Sequence, residues 1–538
     1  MTKQYNEHSK IIRSLVKNAE KGILEAQFQL HEYYAKGKYV DRNETLSTKY
    51  LKMLEDTLSG KKFRLKTLSL SNFRRFNSIN INFDEKITII IGDNGAGKTS
   101  FAEAISKIFS WFNNNLERDD VNGRPIVPSD INVHTTDYAE IAALFQIDKL
   151  NKFEASLVRV CPGFTGSKSS EVNIIKQFGA MYRKAASNAK IMIPLLAFYS
   201  VERSFIALKP EISEKASGET TSNRFSALKD ALEGSGKLDS FSEIYIELAN
   251  LAEGEETREI KDLRIQAATL EKTIYDVFEG RQPPADDLFL AKLNTIKKQL
   301  AGALKSVPSA KFQRHLDLVN QAIETLVPDV KNLEIDRSSG KARLLVENFG
   351  NKVNITQLSQ GQKMLVALAG DLARRLVTLN PESDDPLKGH GVVIIDEIDL
   401  HLHPRWQQEI VTGLQRTFPN LQLIVTTHSP QVLSTVRREN IRTLELDATG
   451  QVVVSKPFAP TYGEPSGDVL HSVMLVDPQP PIAEKADLLR LTELVDQGLH
   501  DDQEAKQLMQ KLLSVLGEKH PQLLRLQRSI QRQKALKG

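Results

Sequence analysis

The sequence predicts an α/β protein in which a mixed, mainly parallel β-sheet is flanked by helices. Three continuous runs that are rich in apolar, β-branched residues, at 87–91, 391–395 and 421–427, are typical of strands buried on both faces of a sheet. The first run leads at once into a glycine-rich loop, and a helical pattern over 101–112 follows. This order of strand, loop and helix favours a parallel-sheet α/β domain.

The glycine-rich loop fits the pattern G-x-x-x-x-G-K-T from Gly92 to Thr99. Glycines allow turns that aim successive backbone N–H groups at a chain of phosphates, and the helix N-terminus adds its positive end. The loop is therefore a candidate ATP site, where Lys98 would reach the β- and γ-phosphates and the Thr99 hydroxyl would bind Mg²⁺. The predicted contact residues are Gly92, Asp93, Asn94, Gly95, Ala96, Gly97, Lys98, Thr99 and Ser100.

Three further segments follow the loop along the chain. Residues 358–363, Leu-Ser-Gln-Gly-Gln-Lys, open a helix; the apolar run at 392–395 ends in Asp396-Glu397; and the run at 424–427 ends at His428. Asp396, at the end of a strand, would hold Mg²⁺ through its water shell. Glu397 would act as the general base on the attacking water, and His428 would contact the γ-phosphate. These residues complete a predicted hydrolytic site.

With the P-loop, the order and spacing of these segments resemble the ABC-type ATPase heads of SMC and overcoming-lysogenization-defect proteins. The resemblance implies an ABC-ATPase head, a P-loop NTPase with a mixed sheet and flanking helices. It also implies that Ser359, the backbone at Gly361 and Gln362 bind the γ-phosphate of a second protomer's ATP. Because one copy of each motif is present, a homodimer or a higher even oligomer follows from the resemblance.

Residues 396–406 and 371–376 are similar to the compact bacterial ATPases of Septu and retron antiviral systems, the PtuA family. The similarity is motif-specific around 90–100, 358–376 and 392–430. It implies an ATP-dependent subunit that controls a partner HNH nuclease of the PtuB type. In a retron it also implies association with a reverse transcriptase and its msDNA, and hence contact with nucleic acid. The sequence holds no His-Asn-His constellation, so nuclease chemistry would come from another chain.

Two alternatives remain. One is a DNA-repair ATPase of the SMC or RecF kind acting on DNA ends, although no heptad pattern is sustained over four repeats as long coiled-coil arms require. The other is a protein in which ATP is a structural ligand that locks a dimer. A Glu397→Gln substitution separates hydrolysis from such a structural role.

Composition limits the other function classes. The 538 residues are 40% hydrophobic and 26% charged, with a net charge of +3, so any attraction to nucleic acid must be local. The single cysteine, Cys161, excludes an internal disulfide framework and a cysteine-based zinc site. The sequence shows no signal-like N-terminus and no long apolar stretch. We therefore expect a cytoplasmic protein with no membrane partner.

Changes of pattern divide the chain into five predicted regions. These are a helical region resembling a single SEL-one-like repeat (1–62), a first ATPase lobe with the P-loop (63–205), a helical insert (206–330), a second lobe with the other motifs (331–460) and a helical partner-binding region (461–538). A single repeat cannot bury its own face, so it should dock on the body or on a partner. The last region carries three arginines on one helical face, which suit phosphate or an acidic partner unless they are merely solvated.

Three smaller assignments stay open. His401 and His403 could suggest a metal, but we favour a place at the protomer interface. Residues 72–75, Asn-Phe-Arg-Arg, could flank the adenine or the ribose, or pack in the core. Neither Gln146 nor residues 199–203 can be assigned as the glutamine loop.

Overall fold

The computed structural model describes residues 2–201, 223–234, 238–253, 288–305, 308–338 and 342–537, with isolated positions between 263 and 274. The chain divides into two compact units, Met1–Gly463 and Glu464–Gly538. The first unit contains the sheets, and the described part of the second is helical. Much of the predicted insert, including residues 206–222 and 275–287, lies outside the described residues.

The strands all belong to the first unit. They are β1 (Arg64–Phe73), β2 (Phe76–Asn82), β3 (Ile87–Gly92), β4 (Tyr138–Gln146), β5 (Lys152–Val160), β6 (Leu195–Tyr199), β7 (Val330–Asp336), β8 (Arg343–Asn348), β9 (Asn351–Asn354), β10 (Gly391–Ile395), β11 (Leu421–Thr426), β12 (Ile441–Leu446) and β13 (Val452–Ser455).

The helices occur in both units. They are α1 (Thr2–Glu20), α2 (Leu24–Lys36), α3 (Glu44–Leu58), α4 (Lys98–Glu117), α5 (Asn173–Ala185), α6 (Leu238–Glu253), α7 (Leu288–Lys305), α8 (Pro308–Leu326), α9 (Gln360–Leu379), α10 (Pro404–Thr417), α11 (Pro430–Leu433), α12 (Ser466–Ser472), α13 (Lys485–Asp496), α14 (Gln503–Leu516) and α15 (Pro521–Lys537).

The central sheet has the strand order β13-β12-β3-β11-β10-β6. Its strands are parallel apart from β13, which pairs antiparallel with β12 at the edge. The residues of β6, β10 and β11 are all buried, as expected for apolar runs covered on both faces. The predicted α/β class, a mixed sheet with flanking helices, is confirmed.

A second sheet has the order β2-β1-β4-β5 and is antiparallel. Alternate residues of β4 are buried, which is the period-2 pattern of a strand with one covered face. Stacked aromatic rings fill the covered side; the Phe145 and Phe153 centroids lie 5.0 Å apart, and those of Phe153 and Phe178 lie 3.8 Å apart. In this sheet β1 and β2, which precede the P-loop in the chain, are hydrogen-bonded together with β4 and β5, which follow it.

Helix α9 is more deeply buried than its sequence suggests. The spacing of its apolar residues predicts an amphipathic helix over 362–378, but the structure buries nearly every residue from Gly361 onwards. The helix packs against α8 and α6, and a Cβ at Gly370 would lie 2.3 Å from the ring of Phe241. A glycine at this position allows the close approach of α6.

The N-terminal helices dock on the body of the first unit. Their own small core contains Ala19, Leu30 and Tyr50. The Leu24 N–H donates to the Asn151 Oδ1 at 2.9 Å, and the Asn151 Nδ2 donates to the Gly22 carbonyl at 3.0 Å. The sequence left open whether this repeat docks on the body of the chain or on a partner. In the structure it docks on the body.

The second unit has a small core of its own, made by leucines, a valine and an alanine of α13, α14 and α15. Arg525, Arg528 and Arg532 are exposed on α15, as the spacing of the arginines predicts. Among the described helices of both units, none combines the length and apolar character needed to cross a membrane.

Candidate nucleotide-binding site

The candidate site lies at the edge of the central sheet where the parallel strands end. The P-loop follows β3, the acidic pair Asp396-Glu397 follows β10, and His428 follows β11. Because β3, β11 and β10 are neighbours and parallel, their carboxyl ends bring these segments together. We call the P-loop, the acidic pair and His428 the P-loop half of the site.

The P-loop has the backbone that its glycines predict. Gly95 and Gly97 have φ values of +78° and +100°, in the region that favours glycine. A Cβ at Gly97 would also lie 2.5 Å from the ring of Phe76. Helix α4 begins at the next residue, and the first N–H groups of any helix have no partner within it, so they are available to a bound anion.

The Lys98 side chain is held inside the loop. Its Nζ donates to the carbonyl oxygens of Gly92, at 2.8 Å, and Asp93, at 3.0 Å. Burial lowers the pKa of the Lys98 amine, and the carboxylates of Glu397 and Asp396 oppose that shift. A phosphate group entering the loop would offer this amine a charged acceptor in place of two neutral carbonyls.

The two residues expected to hold Mg²⁺ are in direct contact. The Thr99 Oγ1 donates to the Asp396 Oδ2 at 2.7 Å. Asp396 is fully buried, and its backbone N–H donates to the Tyr199 carbonyl at 2.8 Å. The neighbouring strand β6 thus helps to fix the position of the carboxylate.

This pair of oxygen ligands fits Mg²⁺. Magnesium keeps several waters and is usually bound by one or two protein oxygens together with substrate phosphates. The described residues contain no group of three or more His, Cys, Asp or Glu side chains arranged to hold a metal. Thr99 and Asp396 would supply the protein oxygens of such a site, and the nucleotide would supply the others.

One threonine that the sequence did not single out organises the acidic pair. The Thr426 Oγ1 donates to the Asp396 Oδ1 at 2.5 Å and accepts from the Glu397 N–H at 2.7 Å. Glu397 has a φ of +47°, a conformation that is uncommon for a residue with a side chain. The hydroxyl of Thr426 therefore fixes the backbone where the chain turns away from β10.

A second carboxylate, Asp399, connects the segment after the acidic pair to His428. The Thr427 Oγ1 donates to the Asp399 Oδ1 at 2.5 Å, and the His428 N–H donates to the same oxygen at 3.3 Å. The His428 side chain is half-buried. Asp399 and Thr427 are thus positioning residues that the sequence analysis missed, because their contacts depend on the pairing of β10 with β11.

Residues 358–363, which we call the signature segment, have a different environment. Ser359 caps α9: its N–H donates to the Gln362 Oε1 at 3.2 Å, while its Oγ accepts from the Gln362 N–H at 3.3 Å. The buried Gln362 amide also donates to the Asn348 Oδ1 at 2.9 Å. Ser359 is exposed. The hydrogen bonds of the signature segment are therefore made within the segment itself and to Asn348, the last residue of β8.

The signature segment packs against the turn that follows the acidic pair. A Cβ at Gly361 would lie 2.6 Å from the His401 carbonyl oxygen and 3.4 Å from the Trp406 ring. The close approach explains why a glycine stands at this position. It also places His401 beside the signature segment, although the predicted interface role of His401 and His403 remains a prediction.

Residues 72–75, which the sequence left unassigned between the nucleotide site and the core, include residues of both environments. Phe73 is completely buried, and Arg74 pairs with Glu103 and Asp130, so both are structural. Arg75 is exposed beside the P-loop: its Nη1 would lie 3.5 Å from a Cβ at Gly95. Arg75 is therefore within reach of a nucleotide bound by the loop.

The glutamine loop stays unassigned. Gln146 ends β4 and pairs with Lys152 across the antiparallel sheet, so it belongs to that sheet. The other candidate segment begins at Tyr199, whose carbonyl accepts from Asp396. Residues 202 and 203 lie outside the part of the chain that the structure describes.

Comparison with known proteins agrees with this geometry. The family described as AAA ATPase domain matches residues 64–433. The retron Vc95 probable ATPase of Vibrio cholerae is 31% identical over 93% of this chain and 96% of its own length. The retron Ec83 probable ATPase of Escherichia coli is 30% identical over 97% of this chain and 96% of its own length.

A shorter match extends the comparison. The Septu protein PtuA of Bacillus mycoides is 38% identical over 112 residues, which is 21% of this chain and 15% of that protein. The two retron proteins carry the stronger argument because they align over nearly the whole chain. With its AAA ATPase domain and the P-loop geometry described above, the chain is an ATPase that belongs to the family of the retron probable ATPases.

Proposed function

We propose that this chain is an ATP-hydrolysing regulatory subunit of an antiphage defence complex in the cytoplasm. The observation that carries the catalytic part is the hydrogen-bonded set Thr99, Asp396, Thr426 and Glu397. The similarity to retron and Septu proteins supports the defence part.

Each residue of the P-loop half has a role in this proposal. The loop N–H groups and Lys98 bind the phosphates, and Thr99 and Asp396 hold Mg²⁺, which supplies charge neutralisation at the β- and γ-phosphates. Glu397 acts as the general base and accepts a proton from the attacking water. His428 contacts the γ-phosphate, and Asp399 holds the backbone of His428 in place.

The signature segment that completes each site comes from a second copy of the chain. Ser359 is exposed at the N-terminus of the twenty-residue helix α9, where a phosphate is favoured by the helix dipole. Ser359, the backbone at Gly361 and Gln362 then contact the partner's γ-phosphate. Nucleotide state and the assembly of a homodimer, or of a higher even oligomer, are thereby coupled.

The output comes from other chains. In the proposed complex a PtuB-type HNH nuclease binds residues 461–538, and in a retron a reverse transcriptase with its msDNA joins them. ATP binding and hydrolysis control whether the nuclease is restrained. The exposed arginines of α15 support an acidic or phosphate-bearing partner for this region.

The Lys98→Ala variant tests the proposal. It removes the amine inside the P-loop, so we expect loss of ATP binding in a fluorescent-nucleotide titration and loss of phage resistance in cells that carry the complete system. Lys49→Ala changes an exposed lysine on α3 and serves as the control. Wild-type protein that binds no ATP, together with intact resistance in the Lys98→Ala strain, would contradict the proposal.

A further inference from the structure

A basic pocket of about 320 Å³ lies at the opposite edge of the central sheet from the nucleotide site. Its lining includes Lys86, the residue before β3, and Pro419, two residues before β11. The amino ends of these parallel strands therefore form one side of the pocket. Residues 60–62, which lead into β1, the start of β1 and the chain at the end of β4 line the other side.

Five cations line this pocket: Lys61, Lys62, Arg64, Lys66 and Lys86. Two carboxylates are close, but at distances that leave the charges of the cations incompletely neutralised, and the Lys62 Nζ donates to the neutral Asn420 Oδ1 at 2.7 Å. The Lys61 Nζ lies 3.9 Å from Asp148, and the Lys66 Nζ lies 3.6 Å from Glu85. Ion pairs at the protein surface contribute at most about 1 kcal/mol to stability.

Arg64 is the most informative of the five. It is half-buried, and its Nη1 donates to the Phe63 carbonyl at 3.2 Å. Burial lowers the pKa of its guanidinium, while Glu85 opposes that shift. Partly removing a guanidinium from water is unfavourable unless an anion compensates, so its place in this pocket suits an anionic ligand.

The cations follow an extended segment instead of converging on one point. Phe63 and Leu65 are fully buried, and the neighbouring Lys62 and Arg64 side chains are exposed and half-buried. Lys66 lies where the pairing of β1 with β4 shifts register, between Leu65 and Thr67. Residues two positions apart in a chain stand at most about 7 Å from each other, which is comparable to the separation of consecutive phosphates in a nucleic-acid strand. A linear row of phosphates matches this arrangement better than a single compact anion.

We infer that this pocket binds the phosphodiester backbone of a nucleic-acid strand. The inference rests on the proposed function to the extent that it locates the nucleic-acid contact of the proposed complex. The chain is almost neutral overall, with 71 basic and 68 acidic residues. The contact therefore depends on local charge, and mutation of the pocket can remove it.

The test uses the full chain and labelled oligonucleotides. Fluorescence anisotropy is measured for single-stranded DNA, for RNA of the same sequence and for the DNA duplex, at several salt concentrations. The variant Lys61→Glu/Lys62→Glu/Lys86→Glu changes exposed side chains. The control Lys17→Glu/Lys49→Glu/Lys52→Glu reverses as many exposed lysines on α1 and α3.

We expect the pocket variant to bind single-stranded nucleic acid at least about tenfold more weakly and the control to bind normally. Loss of three phosphate contacts should reduce the slope of a plot of log Kd against log salt concentration by about 2. Arg64→Gln, which keeps a polar side chain, should weaken binding in the same direction. The DNA and RNA arms identify which strand is preferred.

Three results would overturn the inference: equal binding by the wild type and the pocket variant, an equal loss in the control, or displacement of the oligonucleotide by inorganic triphosphate at the same phosphate concentration. ATP affinity and hydrolysis are measured on the same preparations. If they are absent while the pocket variant still loses oligonucleotide binding, the proposed function fails and the pocket stands. If they are present and the pocket variant binds normally, only the pocket fails.

Discussion

The P-loop half and the signature segment lie in the same unit but use their residues differently. In the P-loop half, the hydroxyls of Thr99 and Thr426 donate to the two carboxylate oxygens of Asp396, so residues of the candidate site bond to one another. In the signature segment, Ser359 and Gln362 form a capping box for their own helix. One half is assembled within the chain, whereas the other presents an exposed serine.

The difference indicates how such an ATPase can make activity depend on assembly. A complete set of catalytic groups in one chain would hydrolyse ATP without a partner. In the proposed site the contacts with the γ-phosphate are divided between two copies, which would make hydrolysis conditional on their meeting. Substitutions in the two halves should therefore have different effects.

The largest expected effect belongs to the P-loop half. Glu397→Gln keeps the side-chain size but removes the proposed general base, so kcat for ATP hydrolysis should fall by about 10²- to 10⁴-fold. ATP affinity should be unchanged, because the phosphate contacts remain. Steady-state hydrolysis and nucleotide titration measure the two quantities.

Glu409→Gln is the matched control for this prediction. Glu409 is exposed on α10, 3.6 Å from Arg405, and its loss should leave kcat unchanged. An active Glu397→Gln enzyme would show that the general base is a different group and would remove the basis for the catalytic half of the comparison.

The next effect concerns the connection between the two halves. Asp371 on α9 accepts from the Tyr199 hydroxyl on β6 at 2.7 Å and from the Arg375 Nε at 2.7 Å, and Arg374 pairs with its other oxygen. Burial raises the pKa of Asp371, but the guanidinium groups of Arg375 and Arg374 outweigh it and hold that pKa well below its usual range. The residue stays charged at any physiological pH.

Asp371→Asn should lower the free energy of unfolding by about 3–5 kcal/mol, because it leaves two buried guanidinium groups without a counter-charge. Urea denaturation gives the value. Asp317→Asn, an exposed change on the neighbouring helix α8, should stay within about 0.5 kcal/mol of wild type. A small effect at Asp371 would mean that α9 is not anchored to the sheet through this cluster.

The smallest effect is a pH dependence at the amino end of β10, on the opposite edge of the sheet from the P-loop half. His390 precedes β10 and is buried, and its Nδ1 accepts from the Phe63 N–H at 3.0 Å. Burial, with a contribution from Arg64, lowers the pKa of His390 to about 3. The unfolded chain binds this proton near pH 6.5, so the stabilisation is complete above that pH and is lost as the pH falls towards 3.

When the pH is lowered from 7 to 5, His390 should reduce the free energy of unfolding by about 2 kcal/mol. His390→Gln keeps a hydrogen-bond acceptor but does not titrate, so its denaturation midpoint should change less between the two pH values. His134→Gln, at an exposed position, should behave as wild type. Equal slopes for all three proteins would contradict the assignment.

The sequence predicted the P-loop half in detail because its motifs are local. A run from Gly92 to Thr99 and an acidic pair after an apolar strand can be recognised without knowing the sheet order. Thr426 and Asp399 were missed since their roles arise only when β10 and β11 pair in register, with Ile395 opposite Val425. Their residue types alone gave no signal.

The signature segment shows the opposite case. Ser359 and Gln362 fit the sequence pattern of a capping box, and the structure shows that hydrogen bonding, while their predicted contact with ATP stays a prediction. The burial of α9 on almost every side was also hidden, because its arginines resemble a solvated face until Asp371 is placed beside them. Long-range packing decides such cases.

The most direct test of the division between the two halves mixes two inactive variants. Lys98→Ala disables the P-loop half, and Ser359→Arg places a bulky side chain on the signature segment. Each alone should lack ATPase activity. After mixing, the heterodimers pair one intact P-loop with one intact signature segment, so about a quarter of wild-type activity should return if subunits exchange freely. Mixing either variant with the double variant should restore nothing; if the mixture of single variants also stays inactive while native mass spectrometry shows heterodimers, the composite site is contradicted.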